Sequence, residues 1–348
     1  GDSNSDTGGL SAAFGPAPPP SGETFFGEPK GRYCDGRLVV DFIAKSIGLP
    51  YLNAYLDSVG TNFSHGANFA TAGSTIRRQN TTLFQGGFSP FSLDVQSWQF
   101  SQFKSRSQSA RKQGAVFESL LPKEELFSRA LYTIDIGQND LTSGYFSNMT
   151  TPEVLASIPD ILSNFVIVIK SIYGQGGRYF WIHNTGPFGC LPYVLDRLPI
   201  TAPQVDRAGC ATPFNGVAQA FNKQLKATVG QLRKDLPSAA FTYVDVYSAK
   251  YSLISQARRH GFVHPLVSCC GHGGKYNYNR HYGCGAKVIV NGTQILLGKS
   301  CDDPWRRIIW DGVHYTEAAN KWVFDQISEG ALSDPPLPVR MACHRQTR

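Results

Sequence analysis

A serine near the start of the chain and a histidine near its end could together perform acyl transfer. The chain begins Gly-Asp-Ser-Asn-Ser-Asp-Thr-Gly-Gly, a small and polar segment able to form a turn ahead of a helix. Asp311 and His314 follow much later, in an Asp-Gly-Val-His segment. A serine hydroxyl is a weak nucleophile until a base takes its proton, and a histidine oriented by a carboxylate is such a base. We therefore predict Ser3 as nucleophile, His314 as general base and Asp311 as the residue that orients it.

The tetrahedral intermediate of acyl transfer also needs hydrogen-bond donors for its oxyanion. The predicted donors are the backbone N–H groups of Ser3 and Gly73 and the side-chain amide of Asn139. Gly73 lies in an Asn-Phe-Ala-Thr-Ala-Gly-Ser run and Asn139 in a Gly-Gln-Asn-Asp run. Taken alone, each fits an ordinary turn as well. Their occurrence in one chain favours the catalytic interpretation.

The elements that must position these residues alternate between strands and helices. Continuous apolar or β-branched runs predict buried strands, and apolar spacings of three and four predict helices. The predicted strands are 131–136, 178–183 and 241–246, and the predicted helices are 38–47, 152–173, 214–235 and 317–328. This alternation predicts an α/β fold, a doubly wound α/β/α sandwich with a parallel sheet. Asn139 then falls just past the carboxyl end of a strand, where such sheets place their sites.

Length and composition are those of a soluble globular protein. The 348 residues are 41% hydrophobic and 17% charged, and we expect a single domain over 1–348. Residues 255–305, rich in glycine, tyrosine and asparagine and containing four cysteines, are predicted as an excursion within it. The basic residues behind the net charge of +7 are scattered, so nucleic acid is not an expected partner. No apolar run approaches the roughly 18 residues of a membrane span.

The cysteines and glycosylation sequons predict secretion. Eight cysteines are compatible with a disulfide set, and we expect Cys190 to pair with Cys210 and the cysteines of 255–305 to pair among themselves. Four Asn-X-Ser/Thr sequons favour the same compartment and predict N-glycans, at Asn62, Asn80, Asn148 and Asn291. The alternative for the later cysteines is a zinc site with His264 and His272, but their spacings match no zinc pattern. We expect no metal.

Four sequence blocks resemble those of the GDSL esterases/lipases of the SGNH hydrolase superfamily. They are residues 1–9, Gly-Ala-Asn-Phe-Ala-Thr-Ala-Gly at 66–73, Ile-Gly-Gln-Asn-Asp at 136–140 and Asp-Gly-Val-His-Tyr-Thr-Glu-Ala-Ala-Asn at 311–320. The loop 184–190 and the Cys-Cys-Gly run at 269–271 resemble the plant, early-nodulin-like branch, some of whose members are named α-L-fucosidase. The resemblance implies a three-layer, flavodoxin-like sandwich, no cofactor, and the five site roles given above. It also implies a strand immediately upstream of Gly1.

These observations predict a secreted carboxylic ester hydrolase that works through an acyl-enzyme. The expected substrates are short-chain acyl or acetyl esters of alcohols, lipids or glycans. We expect the protein to act on them in the apoplast or cell wall, and to be a monomer. One alternative is an acyltransferase that uses the same serine with an alcohol as acceptor. Another is a non-catalytic secreted glycoprotein. Glycosidase activity is disfavoured because it usually needs two free carboxylates, and Asp311 is committed to His314.

Overall fold

The computed structural model describes residues 1–80 and 87–344. Its α-helices are α1 Gly9–Phe14, α2 Val39–Ser46, α3 Leu93–Arg111, α4 Ala115–Leu120, α5 Gln138–Phe146, α6 Thr151–Gly174, α7 Pro192–Arg197, α8 Thr212–Asp235, α9 Val246–Ser255 and α10 Glu317–Ser328. Its strands are β1 Leu131–Ile134, β2 Tyr179–His183, β3 Ala240–Val244, β4 Lys287–Val290, β5 Thr293–Leu296 and β6 Ser333–Asp334. Short 3₁₀ helices cover Glu124–Ser128, Phe188–Cys190, Ala202–Gln204, Ala257–His260, Pro304–Arg306 and Val339–Met341.

The main sheet has the strand order β1-β2-β3-β6. The first three strands are parallel, with Ile134 opposite Ile182 and Ile182 opposite Tyr243. Phe180 and Phe241 stack across two of these strands with ring centroids 4.8 Å apart. The predicted parallel sheet is therefore confirmed for these strands. The fourth strand, β6, was not predicted, and it pairs antiparallel with β3.

The helices form two packed groups around this sheet. In one group α6 packs against α3, α5 and α8, and in the other α10 packs against α2 and α9. The apolar faces of both groups belong to one core that also contains the central strands, with Trp181, Phe165 and Ile327 almost completely buried. The predicted α/β fold class is thus confirmed. The predicted helices also form, within two residues of their expected bounds.

Two strand boundaries differ from those expected, and each difference has a local cause. β1 ends at Ile134 rather than at residue 136, and the carbonyl of Asp135 bonds to the N-terminal segment instead of continuing the sheet. β3 ends at Val244 because the Asp245 side chain accepts the Ser248 N–H and begins α9. An aspartate in this position is a favourable N-cap. The sheet edge is therefore shorter than the apolar runs.

The disulfide predictions are confirmed. Cys190 pairs with Cys210, and the later four cysteines pair as Cys269–Cys301 and Cys270–Cys284. Among the described residues, Cys34 and Cys343 are free thiols. The β4–β5 hairpin lies between the two later disulfides and exposes several apolar side chains, which are Ile289, Val290, Ile295 and Leu296.

One helix qualifies by length and composition as a membrane span within the described ranges. It is α6, whose most apolar 18-residue window has a mean hydropathy of 1.6. Of that window, 39% is buried inside the protein. The apolar part of α6 is therefore longer than we expected from the sequence. Seven of its side chains, including Ile158, Ile161 and Ile169, are buried in the core. A core helix of a soluble protein has the same properties.

The outer edge of β1 borders an apolar cavity. Within the described part of the chain β1 pairs with β2 alone, so its other edge is open. The cavity has a volume of about 430 Å³ and is lined by this edge, by α2 and α3, and by Gly1 and Ser5.

Candidate active site

Ser3 lies in a tight turn that is tied down on both sides. The side chain is only 7% exposed, and the Ser5 N–H closes the turn onto the Asp2 carbonyl at 3.1 Å. After the turn, the buried Asp6 carboxylate accepts the Gly8 and Leu10 N–H groups at 2.8 and 3.0 Å and so begins α1. The segment that contains Ser3 is therefore held as a turn ahead of α1, as its small polar residues suggested.

The block that contains Gly73 is bonded directly to this turn. Its Ala72 N–H donates to Asp6 Oδ2 at 2.7 Å, and its Thr71 N–H donates to the Gly1 carbonyl at 3.1 Å. Gly73 itself has φ +77°, which side chains adopt only with strain. A Cβ at this position would lie 2.9 Å from the Ser89 nitrogen. The backbone next to Ser3 thus requires glycine at this point.

Asn139 reaches the same region from the first turn of α5. Its side-chain Nδ2 donates one hydrogen bond to the Ser74 carbonyl at 2.9 Å, and its second N–H has no partner among the described residues. Next to it, the Asp140 carboxylate accepts the Ile76 and Arg77 N–H groups at 2.7 and 3.0 Å. These hydrogen bonds lower the pKa of Asp140, but burial has the larger effect and raises this pKa to about 7. Two side chains of α5 therefore fix the segment that follows Gly73.

The backbone donors at this site are unoccupied. Among residues 1–80 and 87–344, neither the Ser3 nor the Gly73 N–H donates a hydrogen bond to the protein. Backbone N–H groups in folded proteins are paired in the great majority of cases. Backbone donors without partners, on segments that hydrogen bonds connect to one another, are the kind of group that an oxyanion needs.

Asp311 and His314 form the expected pair. His314 Nδ1 lies 2.6 Å from Asp311 Oδ2, and Asp311 Oδ1 accepts the Val313 and His314 backbone N–H groups at 3.0 and 2.9 Å. Burial alone would raise the pKa of Asp311, but His314 and these hydrogen bonds lower it below its usual value. An ionised carboxylate only accepts, so Nδ1 carries the proton and Nε2 is the basic nitrogen.

The loop that carries this pair is fixed at several points. The Cys269 and Cys270 N–H groups donate to the Ile309 and Trp310 carbonyls at 2.8 and 2.6 Å. Gly312 has φ +97°, and a Cβ there would lie 2.4 Å from Tyr278. The loop ends where Thr316 caps α10 by accepting the Ala319 N–H at 3.2 Å. The disulfide-linked segment thus supports the loop from one side.

Tyr33 connects the nucleophile segment with His314, and the sequence analysis did not single it out. Its ring centroid lies 5.6 Å from that of His314. Burial, with a smaller contribution from the charge of Asp6, raises the pKa of Tyr33 to about 12. No motif surrounds this tyrosine, so only the tertiary contact reveals it.

Hydrogen bonds bring the motif blocks together in space. The first block bonds to the second through Asp6 and Ala72, and the second to the third through Ser74 and Asn139. In the fourth block, the ring of His314 contacts Tyr33, which lies outside the other three blocks. Within the described residues, the His314 ring has no hydrogen-bond partner other than Asp311, so its Nε2 does not yet bond to Ser3. Catalytic hydrogen bonds are often loose without substrate.

The comparisons with known proteins agree with this arrangement. A profile of the GDSL-like lipase/acylhydrolase family matches residues 1–327. The chain belongs to the GDSL-like lipase/acylhydrolase family. It is 63% identical over 346 residues to GDSL esterase/lipase ACHE of Zea mays, covering 99% of this chain and 87% of that protein. Family membership makes the protein a carboxylic ester hydrolase.

Two further relatives of this GDSL hydrolase confirm the expected plant branch. GDSL esterase/lipase ENOD8 of Medicago truncatula is 53% identical over 99% of this chain and 89% of its own length. A protein named alpha-L-fucosidase 3, from Arabidopsis thaliana, is 61% identical over 99% of this chain and 91% of its own length. The chain is therefore similar both to proteins with esterase names and to one with a glycosidase name.

Proposed function

We propose that this GDSL hydrolase cleaves carboxylic esters through a serine acyl-enzyme. In this proposal Ser3 is the nucleophile, His314 the general base and Asp311 the residue that orients it. The backbone N–H groups of Ser3 and Gly73 and the amide of Asn139 receive the oxyanion. The observation that carries the proposal is the combination of free donors beside Ser3 with a 2.6 Å bond between His314 Nδ1 and Asp311.

The chemistry follows from the positions of these groups. Ser3 Oγ attacks the ester carbonyl carbon while His314 Nε2 takes the hydroxyl proton, and the carbonyl oxygen becomes an oxyanion facing the free N–H donors. When the intermediate collapses, the C–O bond to the alcohol breaks and His314 gives its proton to the leaving oxygen. Water then attacks the acyl-enzyme with His314 as base. The acid is released and Ser3 regains its proton.

The Ser3→Ala variant tests this proposal. Removal of the nucleophile should lower kcat/KM on an aryl acetate at least about 10⁴-fold, because the remaining groups of such a site act only together with it. A fluorophosphonate should label the wild type on Ser3, located by peptide mass spectrometry, and should not label the variant. Ser58→Ala, an exposed serine away from the motif blocks, is the matched control. Hydrolysis by Ser3→Ala within tenfold of wild type would reject the mechanism.

The same site supports acyl transfer to an alcohol in place of water. The two reactions share every step up to the acyl-enzyme, and they differ only in the second nucleophile. Product analysis with competing alcohols separates them, since an acyltransferase gives the new ester in excess of the acid. We propose hydrolysis as the main reaction.

The glycosidase name of one relative is not extended to this protein. Glycoside hydrolysis usually uses two carboxylates on either side of the scissile bond. Here Asp311 is bonded to His314, and the Asp2 carboxylate next to Ser3 is only 1% exposed and accepts two hydrogen bonds from Asn4. Assays on an aryl fucoside beside an aryl acetate should show hydrolysis of the acetate alone.

Secretion and substrate size complete the proposal. The three disulfides and the exposed asparagines of the sequons support an oxidising compartment and the plant cell wall as the place of action, with N-glycans at Asn62, Asn80, Asn148 and Asn291. Of the sequon at Asn80, the threonines at 81 and 82 lie outside the described residues. The protein acts as a monomer and a single domain on short acyl or acetyl esters. A chain-length series of aryl esters should give its highest kcat/KM at two to four carbons, roughly the size of an acetyl to butyryl group.

A further inference from the structure

Asp135 holds the turn that carries Ser3 at two points. It is the first residue after β1, and its main-chain carbonyl accepts the Asp2 N–H at 3.0 Å. Its carboxylate accepts the Ser5 hydroxyl at 3.3 Å. The two contacts flank Ser3 on both sides along the chain. One residue at the end of the sheet therefore defines where the serine lies.

The carboxylate of Asp135 is itself fixed by His183 at the end of the neighbouring strand. Trp181 Nε1 donates to His183 Nε2 at 3.1 Å, so Nε2 is an acceptor and the ring proton is on Nδ1. That Nδ1–H faces Asp135 Oδ2 at 3.4 Å. His183 is 4% exposed, and among the described residues its two ring nitrogens have no other partner. The histidine at the strand end is thus a buried donor to Asp135.

A buried lysine adds the positive charge that this cluster needs. Lys250 on α9 is 5% exposed, and its charge is opposed by the carboxylates of Asp135 and Asp2. Its Nζ lies 4.5 Å from the ring centroid of Tyr315, the residue after His314. A buried charge is unfavourable unless it is paired, so these groups stabilise one another. Burial alone would raise the pKa of Asp135. Interactions with His183 and Lys250 lower this pKa below its usual value, so the carboxyl group is ionised.

We propose that Asp135 is a positioning residue for Ser3, with its carboxylate facing the buried ring of His183 and influenced by the charge of Lys250. The inference rests on the proposed function, since it assigns a role relative to the serine nucleophile. Asp135 contacts no reacting atom; it acts through the turn that spans Asp2 to Ser5. Its loss should therefore change the rate of serine attack more than the binding of the ester.

The first experiment compares Asp135→Asn with wild type on an aryl acetate, with active sites counted by fluorophosphonate labelling. Asparagine keeps the size but removes the charge that opposes Lys250 and weakens the bond from Ser5. We expect kcat to fall 10- to 100-fold, roughly the range for a misplaced reacting group, with KM within threefold of wild type. The rate of fluorophosphonate labelling should fall in the same proportion as kcat.

Asp245→Asn is the matched control. Asp245 follows β3 as Asp135 follows β1, and it caps α9 by accepting the Ser248 N–H at 3.0 Å. Its substitution should lower the melting temperature while kcat per active site stays within twofold of wild type. A purely structural role for Asp135 would give this same pattern.

A double-mutant cycle tests the link to Lys250. Lys250→Met removes the buried charge, and we expect it to lower kcat five- to 50-fold, since Asp135 and Asp2 then face each other uncompensated. In the double variant with Asp135→Asn the loss should be smaller than the product of the two single losses. Independent losses would show that Lys250 does not act through Asp135.

The outcomes separate this inference from the proposed function. Loss of activity in Ser3→Ala with unchanged kcat in Asp135→Asn would overturn the inference and leave the function standing. Activity retained in Ser3→Ala would overturn both. If Asp135→Asn does not fold, Ser5→Ala replaces it, since this variant removes only one hydrogen bond to Asp135. It should lower kcat three- to tenfold, and unchanged kcat would overturn the inference.

Discussion

Gly73 is the residue whose replacement tests the proposed oxyanion site most directly. An added Cβ would lie 2.9 Å from the Ser89 nitrogen and 3.0 Å from the Gly87 oxygen, and the backbone would be strained at φ +77°. The segment must shift, and its N–H with it. We expect Gly73→Ala to lower kcat by about 100- to 1000-fold, the range for loss of one oxyanion donor. Steady-state kinetics on an aryl acetate measure the change.

Gly60→Ala is the matched control for this variant. Gly60 has φ +72°, so alanine is similarly strained there, but nothing lies within 4 Å of the new Cβ. Both substitutions should therefore destabilise the fold by about 1–3 kcal/mol. Only Gly73→Ala should lose activity. Equal kcat values for the two variants would contradict the assignment of Gly73 as a donor.

A second prediction at this scale concerns Asp2 and pH. Burial, with the nearby Asp135 carboxylate, raises the pKa of Asp2 to about 6 in the folded protein, above its value in the unfolded chain. The folded state therefore binds this proton more tightly, and the stability it contributes is present at low pH and lost as pH rises from about 4 to about 6. The free energy of unfolding of wild type relative to Asp2→Asn should fall by about 2 kcal/mol across this window. Urea unfolding at several pH values measures it, and a constant difference would disprove it.

At the scale of elements, the segment between the later disulfides supports the loop of Asp311 and His314. The backbone of Cys269 and Cys270 pairs with the two residues that precede Asp311, and both cysteines are anchored by disulfides. We expect replacement of both partners, Cys284→Ser with Cys301→Ser, to lower kcat at least about tenfold and to reduce stability by about 2–4 kcal/mol per bond.

Cys343→Ser is the control for this double variant, because Cys343 is a free thiol. It should leave both kcat and the melting temperature unchanged. Thermal unfolding and active-site titration on the same samples separate lost protein from lost rate. If the double variant keeps the wild-type kcat per active site, the disulfides do not position the loop.

The elements with strong apolar patterns were predictable from sequence, and those without them were not. The strands β1, β2 and β3 and the long helices α6, α8 and α10 carry continuous or periodic apolar residues and form where expected, although β1 and β3 end early. α3 was not predicted, because polar residues such as Gln96, Ser97 and Ser107 occupy part of its buried face. The two-residue β6 is too short to leave a pattern. Its pairing arises only from contact with β3.

The same limit applies to the candidate site. Ser3, Gly73, Asn139, Asp311 and His314 could be predicted because each lies in a block of small or polar residues with a recognisable order. The residues that surround these segments in the fold lie outside such blocks. Tyr33, Asp135 and Lys250 stand in unremarkable sequence, and their importance comes from burial and from contacts between residues far apart in the chain.

At the scale of the whole molecule, the hairpin β4–β5 exposes several apolar side chains close together. Ile289 and Val290 are 76% and 47% exposed, and the turn carries Asn291 with φ +50°. Exposed strand edges with apolar side chains favour pairing between molecules, and a bulky polar group nearby opposes it. A glycan at Asn291 would shield this hairpin.

We therefore expect Asn291→Gln, produced through a eukaryotic secretory pathway, to aggregate more than wild type at equal concentration. Its kcat should not change, because the hairpin is not among the residues that contact Asp311 or His314. The control is Asn62→Gln, which removes another exposed sequon that lies far from Asn291 in the sequence. Light scattering during storage at 37 °C measures the effect. Equal scattering by the two variants would contradict a shielding role.

The adjacent cysteines also determine how the chain must acquire its covalent structure. Cys269 and Cys270 pair with partners 32 and 14 residues away, and exchanging the partners would change each separation by one residue. The loop-closure entropies of the native and exchanged isomers are thus nearly equal. The docking of this pair against Ile309 and Trp310 distinguishes them, and it requires the last part of the chain. We therefore expect the choice between the two isomers to be made late in oxidative folding. A disulfide isomerase, which can still reshuffle them, should raise the yield of the native isomer more than an oxidant alone.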